Sequence, residues 1–300
     1  MSDVIIEFIV LDLVSGRVIV CDQNGRKINT LKQGLSSAPD GVFIDRAKHH
    51  IYVTMMGTVD QATGTAYGQD GSIWRMDLDG SNVVNIIPKG KSRTPKQMTA
   101  DLEGGKIYWC DREGMTVWRA NLDGSDMEAL YRSGHVPEDE KDAARWCVGI
   151  AVDPKRRQFY WTQKGETDAG QGSIHRASYD MPEGGTPERR GDVERLFSGL
   201  PEPIDLELDF EHGYLYWTDR GNLKGGNSLC RARLLADGAV ARDYEVVVAG
   251  VGEAIASVLV PERNQAYITS LTGDLFLADL TTGTVRSIAK FDGLTGIARL

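Results

Sequence analysis

The chain has 300 residues, 41% of them hydrophobic, and a formal net charge of −9. That composition supports a large core and excludes intrinsic disorder, and the acidic balance argues against nucleic-acid and anionic-membrane partners. No apolar run nears the roughly 18 residues that span a bilayer, and the start, MSDVIIEFIV, has an acid where a signal peptide is basic. A cytoplasmic chain without membrane association is therefore expected. Cys21, Cys110, Cys147 and Cys230 form no CxxC pair and no zinc spacing, so four unpaired thiols are expected.

In chain order, the first strand signals are FIVLD (8–12) and RVIVCD (17–22). From residue 40 a pattern then repeats. An inner segment comes first: DGVFID (40–45), QMTADL (97–102), VGIAVD (148–153), IDLELD (204–209) and AIASVLV (254–260). An aromatic segment follows: IYVTM (51–55), IYWCD (107–111), FYWTQ (159–163), LYWTD (215–219) and AYITS (266–270). A third segment comes next, as in SIWRMD (72–77), TVWRAN (116–121), SIHRAS (173–178), SLCRAR (228–233) and DLFLAD (274–279). Turns such as LDGS at 78–81 and 122–125 lead into a fourth. Asp-Gly between alternating segments signals a hairpin. Helical periodicity is confined to the stretch around Glu138 to Arg145.

Four-stranded units of about 40–50 residues are the mark of propeller blades. The expected fold is a single all-β domain over residues 1–300, a six-bladed β-propeller with four-stranded antiparallel blades. The segment GLTGIAR (293–299) has the pattern of an inner strand, while the N-terminus starts at a second strand. The C-terminal strand is expected to join the N-terminal blade, which closes the ring and leaves no open edge.

IYWCD, FYWTQ and LYWTD, with SIWRMDLDGS and VWRANLDGS, resemble the YWTD (class B) repeats of the low-density-lipoprotein-receptor family. The resemblance implies a six-bladed propeller, here as a stand-alone one. No cysteine-rich or EGF-like module flanks the repeats in this sequence, so the receptors' ligand binding is not carried over; fold does not fix function.

One inner strand departs from the rest. Aligning the copies puts Asp45, Asp101, Asp153 and Asp209 at one position, where an Asp accepts hydrogen bonds from the following turn. Asp205 stands where the other blades have Gly41, Gln97, Gly149, Ala256 and Gly296, and Glu207 where they have Phe43, Thr99, Ala151, Val258 and Ala298. Alternate strand residues lie roughly 6.6 Å apart, so these carboxyls can share a proton, a cation or a substrate. Hydration by channel water is the competing reading. If the pair is partly desolvated, at least one pKa should rise.

Long segments at 55–71 and 132–146, with medium ones at 163–172 and 219–227, fall on the face where chains enter the inner strands. The pocket is expected there, with short turns on the far face. His135, in a long loop of that face, joins Asp205 and Glu207 as a catalytic candidate. Arg145, Trp146, Gln97, Asp40 and Glu253 are the candidate substrate contacts. His175 replaces Trp74, Trp118 and Phe276 and is expected to pack between blades. No cofactor is expected; a calcium or magnesium ion on Asp205 and Glu207 is the one metal reading that oxygen ligands support.

Two functions fit. One is a small-molecule enzyme of the hydrolase, lyase or isomerase class, using acid–base chemistry on a ligand in the central channel. The other is a non-catalytic scaffold that presents its loops to a protein or a glycan.

Overall fold

The computed structural model describes residues 7–58, 60, 68–236 and 238–300. Part of the long 55–71 loop lies outside them. Among the described residues, all strands fall into six four-stranded antiparallel sheets. The first sheet holds β1 (Glu7–Asp12), β2 (Arg17–Asp22) and β3 (Lys27–Lys32). The next holds β4 (Pro39–Asp45), β5 (His50–Met55), β6 (Gly71–Asp77) and β7 (Val84–Ser92). Then come β8 (Pro95–Asp101), β9 (Lys106–Asp111), β10 (Thr116–Asn121) and β11 (Glu128–Arg132), followed by β12 (Cys147–Asp153), β13 (Gln158–Gln163), β14 (Gly172–Ser178) and β15 (Glu194–Leu200). The fifth sheet is β16 (Pro203–Asp209), β17 (Tyr214–Asp219), β18 (Ser228–Arg233) and β19 (Glu245–Ala249). The sixth is β20 (Ala254–Val260), β21 (Gln265–Ser270), β22 (Asp274–Asp279) and β23 (Val285–Lys290). Finally β24 (Leu294–Arg299) returns to pair antiparallel with β1, Ile9 opposite Ala298.

The fold is thus a six-bladed propeller closed by its last strand. The inner strands β24, β4, β8, β12, β16 and β20 pack each against the next around the ring. The helix signal near 138–145 becomes turns and a short 3-10 segment, Ala143–Arg145.

The repeat motif has a physical reading. Its Tyr and Trp fill the space between blades, with Tyr108, Tyr160, Tyr216, Trp109, Trp161 and Trp217 all buried. Its Thr ties inner strands together. Thr162 Oγ1 accepts the N–H of Gly149 at 2.7 Å and donates to Ile204 O of the next blade at 2.8 Å. Thr218 does the same between Asp205 N and Ile255 O. Inner strands approach so closely there that a Cβ on Gly41 would sit 2.6 Å from Lys96 O. The Asp that ends four of the six inner strands caps its turn: Asp45 accepts from Lys48 N, Asp101 from Gly104 N, Asp153 from Arg156 N and Asp209 from His212 N.

The four cysteines are free and buried. Burial pushes the thiols of Cys21, Cys147 and Cys230 up to about 12. His175 packs as its position implies, stacked on Trp161 at 5.2 Å, and burial lowers its pKa to about 4.

Candidate functional site

Asp205 and Glu207 reach sideways from β16 to the neighbouring inner strand. Asp205 Oδ2 accepts the N–H of Ser257 at 3.0 Å, and Glu207 Oε2 accepts that of Leu259 at 2.9 Å. Both amides belong to β20, whose inner edge has no further strand to pair with. Each carboxyl therefore satisfies one edge donor that burial would otherwise orphan.

Both side chains line a cavity of about 640 Å³ in the channel, within the range of small-molecule sites. Its walls mix apolar side chains, Phe43, Met98, Ile150 and Val258 among them, with polar and charged ones. Burial raises the pKa of Asp205 to about 7, against the opposing effect of the Ser257 and Leu206 amides. Glu207 rises to about 8, first through burial and then through the charge of Asp205. The pair thus holds about one proton near neutrality.

Ser257 is part of the same site. It is buried, it lines the cavity, and its Oγ has no hydrogen-bond partner among the described residues. Aligned inner strands carry Val42, Met98, Ile150, Leu206 and Ile297 at its position. A small polar residue there faces the seam into which Asp205 and Glu207 extend. Reading that column would have found Ser257; the sequence reading compared only the columns of the carboxylates.

The cavity opens on the opposite face from the one expected. Its lining runs from Gln97 and Asp205 down to Arg46, Pro154, Phe210, Glu211, Pro261 and Arg299, which sit at the short turns leaving the inner strands. Towards the long-loop face the channel is closed by one residue from each inner strand: Asp40, Lys96, Val148, Ile204, Ile255 and Thr295, all buried. Val148, Ile204 and Ile255 belong to one apolar cluster, and Lys96 Nζ meets Asp40 at 2.5 Å.

That closure separates the proposed residues. Asp205, Glu207 and Gln97 share the cavity. Asp40 is consumed by the ion pair with Lys96 and also takes a bond from Gln97 Nε2 at 3.3 Å. His135 and Arg145 line a different, outer pocket with Arg132, Glu188 and Arg189. They are not brought to the carboxyl pair. Arg145 is tied to its own loop through Asp142 at 2.9 Å and Ser133 O. Trp146 is buried, donates to Glu140 O at 2.8 Å, and packs beneath Arg112 and Lys164. Glu253 lies near Arg220 at 3.6 Å. Arg220 and Lys164 converge on the buried Glu202, an ion cluster that sequence reading missed because its members come from separate loops.

Among the described residues no group of three or more His, Cys, Asp or Glu is placed to hold a metal. No third Asp, Glu, His or Cys joins Asp205 and Glu207 there.

A protein of Pyricularia oryzae named low-density lipoprotein receptor-related protein 1 is 40% identical over 293 residues, covering 94% of this chain and 92% of that one. The chain belongs to the YWTD propeller family. No family model matches it; membership rests on this whole-length relative. The YWTD propeller is also 33% identical over 298 residues to the 3-hydroxyacyl-CoA dehydrogenase-like protein LAM1 of Cochliobolus heterostrophus, spanning 96% of this chain and 61% of the length of that relative. Among solved structures, a chain of a nidogen/laminin complex superposes with a TM-score of 0.72 at 18% identity, covering 98% of each chain. A luciferin-regenerating enzyme superposes with a TM-score of 0.62 at 9% identity, over 87% of this chain and 79% of that one. At such identities the structural likeness concerns the fold alone.

Proposed function

We propose that this YWTD propeller is a small-molecule enzyme that works by acid–base chemistry in its channel. The observation that carries the reading is the pair Asp205 and Glu207, two carboxyls raised to about 7 and about 8 on one wall of a cavity of about 640 Å³. A pair that holds about one proton at neutral pH offers a donor and an acceptor together, the requirement of hydrolysis, elimination, hydration and isomerisation. In this reading Glu207, the weaker acid, delivers the proton and Asp205 removes one. The buried thiols suit a reducing, cytoplasmic setting. Nucleic acid and membrane are not among the proposed partners.

A second reading, the non-catalytic scaffold, draws support from the bonds to Ser257 and Leu259. They give both carboxyls a purely structural task. A thermal-shift screen of small molecules separates the two. Wild type and the Asp205→Asn/Glu207→Gln double variant are compared, since the amide oxygens keep accepting the β20 amides. The enzyme reading expects compounds that stabilise the wild type and not the variant. Compounds that stabilise both equally, or none at all, favour the scaffold.

A further inference from the structure

Several other buried carboxylates of the ring are matched by cations, while Asp45 and Asp101 accept turn amides. Asp40 meets Lys96 at 2.5 Å, Glu202 meets Arg220 at 2.7 Å and Asp153 meets Arg156 at 3.0 Å. Among the described residues, Asp205 and Glu207 form no ion pair; besides each other they have backbone amides. Ser257 Oγ, buried at 3% exposure beside them in the cavity wall, has no partner either. Three polar groups with spare acceptor capacity thus line one side of the same cavity, which Phe43, Met98 and Ile150 also line.

That side of the cavity lacks a donor-rich cation. We propose that the channel ligand is a primary amine with an apolar body, its ammonium seated between Asp205 and Glu207 and donating its third hydrogen to Ser257 Oγ. The inference rests on the channel as the ligand site proposed above, not on the acid–base roles given to the two carboxyls, and names the ligand class. An ammonium has three donors and no acceptor, which matches two carboxylates and a hydroxyl. Its charge restores the balance that desolvation denies the pair. The apolar body takes the Phe43, Met98, Ile150 and Val258 walls.

Other charged groups near the pair do not supply this cation. Asp40 on β4 is held by Lys96, and Asp209 at the foot of β16 is met by His212 Nδ1 at 2.8 Å. Glu211 and Arg46 stand at the mouth with Arg299, and Arg299 pairs with Glu262 at 2.5 Å. β12 and β20 contribute no charged side chain to the cavity.

The direction of the pH dependence separates an amine from a neutral ligand. An ammonium binds the doubly ionised pair, so its affinity grows as pH rises through the pair's titration and protons leave on binding. A neutral hydroxyl or carbonyl compound uses the protonated carboxyl as donor, and its affinity grows as pH falls. The test is calorimetry on the full chain with three probes that share an aromatic body: phenethylamine, 2-phenylethanol and 3-phenylpropionate. Phenethylamine is expected to bind roughly tenfold or more tightly at about pH 8 than at about pH 6, with proton release. Asp205→Asn and Glu207→Gln should each weaken it about tenfold or more. Ser257→Val should weaken it by a smaller factor, about threefold to tenfold. Preferential binding of 2-phenylethanol, tighter at low pH, would overturn the amine while leaving the channel as the binding site. Binding of any probe unchanged in the Asp205→Asn/Glu207→Gln variant would overturn both. Failure of phenethylamine to bind at any pH overturns the amine inference, and the compound screen above then judges the channel on its own.

Discussion

Asp205 and Ser257 are joined across the seam between two blades, the carboxylate Oδ2 of one accepting the backbone N–H of the other at 3.0 Å. This bond gives the acidic strand a structural reason that its sequence does not display, because the partner is an amide of a different blade. It also changes what a substitution tests. Asp205→Asn keeps an acceptor in place and should change stability by less than about 1 kcal/mol, whereas Asp205→Ala leaves the Ser257 amide unpaired and should cost about 1–3 kcal/mol. Urea melts of the two variants check the difference. Equal losses in both would show that the charge, rather than the acceptor, holds the seam.

Stability should fall as pH rises from the acid side through neutrality. Asp205 and Glu207 titrate in the fold at about 7 and about 8, above their unfolded values near 4. The folded chain therefore binds more protons than the unfolded chain between those limits. The stabilisation is complete below about pH 4 and is lost by the time pH has passed the folded values. Asp219, raised to about 7 by burial, adds to the same trend. Melting curves from about pH 5 to about pH 9 should slope downward in the wild type and flatten in the Asp205→Asn/Glu207→Gln variant. A variant with the wild-type slope would place the titrating protons elsewhere.

Thr218 links the acidic strand to both neighbours, accepting Asp205 N at 3.0 Å and donating to Ile255 O at 2.7 Å. Thr218→Val removes a buried acceptor and a buried donor at constant shape and should cost about 1–3 kcal/mol. Thr218→Ser keeps the hydroxyl and should cost less. Chemical denaturation of both checks the order.

Closure by β24 should be required for cooperative unfolding. Removing residues 294–300 takes away the partner of β1 and exposes its edge. The truncated chain is expected to aggregate or to melt over a broad range. A sharp transition at the wild-type temperature would contradict the role given to this strand.

Blade number, strand order and closure were legible in the sequence because each rests on a local pattern repeated several times. The Tyr-Trp-Thr-Asp segments and the inner strands ending in Asp45, Asp101, Asp153 and Asp209 are such patterns. Asp205 and Glu207 were legible as exceptions to that pattern. Ser257 was equally exceptional in its own column but carries no charge to draw notice. The side on which the cavity opens was not legible. It is decided by how Asp40, Lys96, Val148, Ile204, Ile255 and Thr295 meet in the middle of the ring, a contact among six strands distant in sequence. For the same reason His135 and Arg145 looked close to the carboxyls by loop position, yet they line an outer pocket.

The central claim is that Asp205 and Glu207 perform chemistry on a small molecule in the channel. The most direct measurement incubates a cell extract with wild-type protein, with Glu207→Gln and with Asp205→Asn, and follows small molecules by untargeted mass spectrometry. The account predicts at least one compound consumed by the wild type, with the rate cut roughly 100-fold or more in each variant. Consumption that proceeds equally in all three proteins, or in none, would contradict it.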